Sequence, residues 1–350
     1  MLLPDIGCSA LRGETANDDR GSIDVAWAFR FELVCQNHGG EVGGTGMAAA
    51  VEVTDFRKLY GDFVAVDGIS FEVQPGQIFG LLGPNGAGKT STLESLEGLR
   101  PPTGGTLRVA GIDPVMEPRK LRGVIGVQLQ TAGLPETITP AEAMRIFCAY
   151  HRVAPRNDLL HRLGLTDKAD TQYVELSGGQ QRRLELALAI AHSPQVLFLD
   201  EPTAGLDVPS RAELHRLIRE LRTAGTTIIL ATHDMAEAEE MADRVAILLA
   251  GEIAAIGTPR DITSKGAELT KVSVRTANGS LGTAGLAFPA VERHHQEDDY
   301  SIYLSSDIGP TVSAIITFVD ANGDHLIDLR VERPSLEDRF LEIATLGGGS

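Results

Sequence analysis

An apolar strand, Gln77 to Leu82, runs straight into Gly83-Pro84-Asn85-Gly86-Ala87-Gly88-Lys89-Thr90, and Thr90 to Leu99 then reads as a helix. Strand, glycine-rich turn and helix in that order build an anion site. Backbone N–H groups and the positive end of the helix supply partial charge to the β- and γ-phosphates of a nucleoside triphosphate. Gly86 and Gly88 lack the Cβ that would block close approach of the backbone. Lys89 is placed to bridge β- and γ-phosphate oxygens and the Thr90 hydroxyl to ligate Mg²⁺; Ser91, next along the helix, joins the nucleotide-binding set. The plainer alternative is a glycine-rich turn carrying an exposed lysine.

A second apolar strand, Val196 to Leu199, ends in Asp200-Glu201 and is followed by a helix, Pro209 to Thr223, and a strand, Thr226 to Thr232. This is a βαβ unit, so the sheet is parallel and the fold class is α/β. Asp200 emerges at the carboxyl edge of the sheet, beside the phosphates, as a direct or outer-sphere Mg²⁺ partner. Glu201 is the candidate general base that positions and polarises the attacking water. An Asp-Glu pair after an apolar strand is also often a solvated turn.

The chain has 350 residues, 43% of them hydrophobic, enough for one large domain and a smaller one. Its net charge of −17 disfavours nucleic acid as the main partner and gives no affinity for anionic lipid. Cys8, Cys35 and Cys148 show no metal-ligand spacing and suit a reduced protein. No apolar run reaches the roughly 18 residues of a membrane helix. Thr227 to Ala231 and Val245 to Ala250 are strand-length and read as buried parallel strands.

Residues 1–46 lack sustained periodicity, and without a basic n-region or an h-region beyond Leu2-Leu3 they do not read as a secretory signal. They read as a disordered leader, or translation begins at Met47. From Val51 the pattern is regular: Val51 to Val53 and Ile69 to Val73 alternate like antiparallel strands, Gly105 to Ala110 is a strand, and Pro140 to Leu163 is helical. Beyond about Asp261, Leu269 to Arg275, Tyr300 to Leu304 and His325 to Val331 read as strands. Thr311 to Val319 and Ser335 to Ala344 read as helices, the second opened by Pro334 and a Ser335…Asp338 capping box. The expected layout is 47–260 for the nucleotide domain, with a helical part at about 131–176, and 261–350 for a small α+β appendage.

Leu176-Ser177-Gly178-Gly179-Gln180 precedes a helix, Gln181 to Ala191, and makes a second anion site in a chain that already has one. With the Gly83–Thr90 loop and the Val196–Glu201 strand, it resembles the ATP-binding cassette (ABC) family over roughly Val51 to Thr258. The resemblance implies a P-loop NTPase (RecA-like) fold with a β subdomain and an α-helical subdomain. It implies that Leu176 to Gln180 face the γ-phosphate held by a partner subunit, closing two ATPs in a head-to-tail dimer. It also implies that Gly205-Leu206-Asp207 is a loop contacting that partner, with Asp207 at its end. His233 matches the family's switch histidine, which contacts the γ-phosphate; its plainer reading is a polar residue at a strand edge. Tyr60 matches the aromatic stacked on adenine, against a core tyrosine of the β subdomain. For the Mg²⁺-touching switch glutamine, Ile125-Gly126-Val127-Gln128-Leu129-Gln130 offers two candidates, Gln130 first and Gln128 in reserve.

One motif set per chain implies a homodimer or a paired ABC ATPase, with ATP and Mg²⁺ as cofactors. The absence of a spanning segment implies a separate integral-membrane permease and a peripheral place at the cytoplasmic membrane face. Pro334-Ser335-Leu336-Glu337-Asp338, followed by Phe340-Leu341-Glu342, resembles the ending of daunorubicin-resistance-type exporter ATPases, or is an ordinary amphipathic closing helix. An exporter ATPase for a drug-like or lipophilic cargo is therefore expected, with an importer ATPase or a non-transport ABC protein as the alternatives. Ribosomal members carry two cassettes, and chromosome ATPases carry long coiled coils between the two phosphate motifs; neither pattern is present.

Overall fold

The computed structural model describes residues 48–129, 133–264, 269–283, 288–332 and 335–347. The expectations for residues 1–46, Gln130 and Pro334 lie outside them. Two long antiparallel strands, β1 (Val51–Tyr60) and β2 (Phe63–Val73), open the fold with Tyr60 facing Phe63 across the Gly61-Asp62 turn. Next, β3 (Ile78–Leu82) leads into α1 (Lys89–Leu96), and β4 (Gly104–Val109) returns to pair with the free edge of β1. A short α2 (Pro118–Leu121) precedes β5 (Ile125–Gln128).

A helical insert follows, with α3 (Pro140–Tyr150), α4 (Asn157–Arg162) and the start of α5 (Gly178–Ile190). The single helix expected over Pro140 to Leu163 is two helices. Arg152 takes a left-handed φ of 58°. Its N–H bonds Ala149 O at 3.1 Å, and the Val153 N–H reaches Cys148 O at 2.9 Å. Those two bonds close α3 in a Schellman motif, with arginine where glycine is usual. Pro155 cannot donate a helical bond, so the chain restarts at Asn157.

The chain then runs through β6 (Val196–Asp200), α6 (Val208–Thr223), β7 (Thr227–Thr232), α7 (Met235–Met241), β8 (Arg244–Leu249) and β9 (Glu252–Gly257). Sheet order is β5-β6-β7-β3-β8-β9, parallel except for β9, which pairs antiparallel with β8 at the edge. All residues of β3, β6 and β7 are buried, because both faces of the sheet are covered. Ile78, Leu197, Leu199, Ile228 and Leu230 share a core with α6 and the helical insert. Phe79, Leu81, Phe198 and Ile229 pack against the β1-β2-β4 sheet. Each such side chain stabilises the fold by about 1.5–3 kcal/mol. Three motif-bearing strands are thereby held with their carboxyl ends at one edge.

After α8 (Pro259–Ser264), a four-stranded antiparallel sheet forms from β10 (Thr270–Thr276), β11 (Val291–Glu297), β12 (Tyr300–Ser305) and β13 (Leu326–Glu332), in the order β11-β12-β10-β13. Its own core joins Val272, Val274 and Tyr303 to Ile315 and Val319 of α9 (Ile308–Ala321). The closing helix, α10 (Leu336–Gly347), belongs to a different cluster. Leu336, Phe340 and Ile343 pack with Leu82, Met235, Val245, Ile247 and Ile262, so this helix lies on α7 and α8.

Candidate nucleotide site

The ends of β3 and β6, the first turn of α1 and the β1–β2 hairpin enclose a cleft of about 200 Å³. Tyr60, Phe63, Ala65, Pro84, Asn85, Gly86, Gly88, Lys89, Thr90, Ser91, Asp200 and Glu201 line it. Gly88 is required for a reason other than ligand approach. Its φ is 103°, and a Cβ there would stand 2.6 Å from Ala65 O, so the constraint comes from packing on β2. Gly86, with φ 84°, has open space around a built Cβ, and its need for glycine is conformational.

The buried Lys89 Nζ donates to Gly83 O at 2.6 Å and Pro84 O at 3.3 Å, and lies 4.0 Å from Glu201 Oε1. Burial lowers its pKa, against the opposing pull of Glu201 and Asp200. Thr90 Oγ1 donates to Asp200 Oδ2 at 3.3 Å. Burial pushes the Asp200 carboxyl up, partly offset by that hydrogen bond. A hydroxyl and a buried carboxylate this close are hard oxygen donors suited to Mg²⁺, which binds through one or two carboxylates plus substrate phosphates.

Glu201 is held in the left-handed region at φ 49°, and such strain gathers at functional sites. Its N–H bonds Ala231 O at 2.9 Å. Its Oε1 accepts from the His233 backbone N–H at 3.0 Å and lies 2.8 Å from His233 Nδ1, while Oε2 accepts from Thr232 Oγ1 at 3.3 Å. Thr232, buried and silent in the sequence pattern, is thus part of the constellation.

Tyr60 is 39% exposed and not a core residue. Lys58 Nζ and Arg100 Cζ lie 5.0 Å and 5.6 Å from its ring centre, and its hydroxyl is 3.4 Å from Ser91 Oγ. Phe63, 63% exposed, is its hairpin partner and was missed by sequence reasoning. The two-residue Gly61-Asp62 turn is the signal that would have paired the two rings. Gln128 is buried and turned toward α5, donating to Arg182 O at 3.3 Å.

Leu176 to Gln180 stand apart from the cleft lining. Leu176 is buried, whereas Ser177 and Gly178 are exposed. Ser177 caps α5: its Oγ accepts from the Gln180 N–H at 3.3 Å, and Gln180 Oε1 accepts from the Ser177 N–H at 2.9 Å. Gly179 approaches Leu206 and Ser210 closely enough that an added Cβ would meet Ser210 Oγ at 3.3 Å. Asp207, exposed, caps α6 by accepting from the Ser210 N–H at 2.9 Å, and Ser210 holds its carboxyl below the usual range. The starts of α5 and α6 therefore form one exposed surface.

A family model described as "ABC transporter" matches residues 66–204. The daunorubicin resistance ATP-binding protein DrrA3 of Streptomyces coeruleorubidus is 34% identical over 302 residues, covering 84% of this chain and 95% of the relative. The chain belongs to the ABC transporter family. The linearmycin resistance ATP-binding protein LnrL of Bacillus subtilis (strain 168) is 32% identical over 304 residues, covering 84% of this chain and 97% of LnrL. Among solved structures, a dimeric post-hydrolysis ATP-binding cassette bound to ADP and Pi superposes with a TM-score of 0.56 at 25% identity, covering 59% of this chain and 98% of that one. This ABC protein binds and hydrolyses ATP. ABC ATPases work as dimers with a membrane permease, and no helix among the described residues is long and apolar enough to cross a membrane.

Proposed function

We propose that this chain is the ATPase subunit of an exporter whose cargo, drug-like or lipophilic, passes through a separate permease. The observation that carries the catalytic part is the convergence of Lys89, Thr90, Asp200, Glu201 and His233 at one sheet edge. The phosphate chain lies over the Gly83–Thr90 loop, and Lys89 exchanges its loop carbonyls for phosphate oxygens. Thr90 and Asp200 hold Mg²⁺, which when bound neutralises charge on the phosphates. Glu201, oriented by Thr232 and His233, takes the proton of the attacking water. With Nδ1 on Glu201, His233 keeps Nε2 for a γ-phosphate oxygen. Tyr60 stacks on adenine, and Ser177 to Gln180 with Asp207 complete the partner's site. Gln130 is proposed as the switch glutamine.

The exporter part rests on relatives named for antibiotic resistance that align through the C-terminal region as well as the cassette. The permease is proposed to dock on the helical insert, where Ile146 and Tyr150 of α3 are 56% and 64% exposed. Co-expression with the permease should bring the chain to membranes at their cytoplasmic face, and Ile146→Glu should release it while sparing ATP binding. Membrane association without any permease would contradict this reading.

A further inference from the structure

Helices α6 and α7 meet along a ladder of opposite charges. Arg211 Nη1 lies 3.3 Å from Asp234 Oδ2, and His215 Nε2 lies 3.0 Å from Glu237 Oε1. His215 Nδ1 is 3.6 Å from Glu240 Oε2, Arg219 pairs with Glu240, and Arg222 pairs with Asp243. The three arginine rungs are open to solvent and screened. The central rung is not: His215 is 5% exposed and Glu237 3%. Glu237 Oε2 has no hydrogen-bond partner among the described residues, so His215 supplies the side-chain hydrogen bond to this buried carboxyl.

From that rung a continuous set of hydrogen bonds leads to the candidate base. The Glu237 N–H donates to Asp234 Oδ1 at 3.0 Å, and the Asp234 N–H donates to Thr232 Oγ1 at 3.0 Å. The Thr232 hydroxyl then donates to Glu201 Oε2 at 3.3 Å. His233, between Thr232 and Asp234, holds Glu201 Oε1. With only 7 residues, α7 is too short to fix its own position. A buried polar pair adds little net stability compared with an apolar one, and its best-attested use, seen in some proteins, is to specify register.

We propose that His215 and Glu237 are a positioning pair for ATP hydrolysis, setting through Asp234 and Thr232 the geometry at which His233 and Glu201 meet. The proposal rests on the reading of Glu201 and His233 as base and γ-phosphate contact. It is tested by steady-state ATPase kinetics and melting curves on the full chain. His215→Leu should lower kcat about tenfold or more while KM for ATP changes by less than about twofold. His215→Gln, which can place a donor at the Nε2 position, should restore most of kcat. The double variant His215→Leu with Glu237→Leu removes both buried polar groups, so its melting temperature should return toward wild type while kcat stays low. A double variant with wild-type kcat, or kcat that follows melting temperature across the set, overturns the proposal. Glu201→Gln separates the two levels: full turnover in that variant refutes the site reading itself, whereas an inactive Glu201→Gln beside a fully active double variant refutes only the pair.

Discussion

The two regions of this cassette proposed to face phosphate are built in opposite ways. Around Lys89, Asp200 and Glu201 the groups are buried and bonded to one another, and burial lowers the Lys89 pKa and raises that of Asp200. At the start of α5, Ser177 and Gly178 are exposed and the polar groups are used only in capping. The carboxylates show the same contrast. Glu97, at the buried end of α1, has its pKa pushed up to about 8 by burial, then by Asp200 and Glu94. Asp207 is exposed and held low by Ser210. A catalytic group must be fixed within its own chain, whereas a surface that completes a partner's site must remain open until the partner arrives.

The largest expected effect separates these halves. Ser177→Arg should abolish turnover, by more than about 10²-fold, while ATP still binds the isolated chain; Lys89→Ala should lose both binding and turnover. Mixing the two variants rebuilds one intact composite site, so ATPase activity should partly return. No recovery on mixing would mean that the α5 surface does not serve a partner.

Next in size is the buried carboxyl. Between the ordinary Glu pKa of 4.5 and about 8, the folded chain keeps a proton on Glu97 that the unfolded chain releases. Stability from this group is therefore complete below 4.5 and is lost as pH rises through 8, at about 1.4 kcal/mol per pH unit. Glu97→Gln should raise the melting temperature at pH 8.5 and leave it nearly unchanged at pH 4.5. An equal effect at both pH values would contradict the assignment.

Much of the cleft half was legible because its chemistry is local. Glycines, lysine and threonine stand consecutively, and Asp200-Glu201 follows a strand too apolar to be anything but buried. What depends on tertiary register was not legible. The His215–Glu237 contact joins residues 22 apart on two helices. Strand β11 was missed because Val291 to Glu297 is polar and largely exposed, so it shows no alternation. The break after α3 has a signal in Pro155 that the sequence reading passed over, while the left-handed position itself holds arginine in place of the usual glycine. The packing of α10 on α7 could not be read either, since an amphipathic pattern shows which face is apolar and not what covers it.

The smallest expected effect sharpens the cleft's outer wall. Tyr60→Ala should weaken nucleotide affinity by about 1–3 kcal/mol. Because Tyr60 is 39% exposed, melting temperature should barely move. Unfolding at unchanged affinity would return this residue to the core.

The most direct test of the account is Glu201→Gln, followed by ATP affinity, turnover and oligomeric state in one preparation. Wild-type affinity, turnover reduced by at least about 10²-fold and accumulation of an ATP-bound dimer are the predicted result. Unchanged steady-state ATPase activity would contradict the assignment of Glu201 as the base, and with it the account of the cleft.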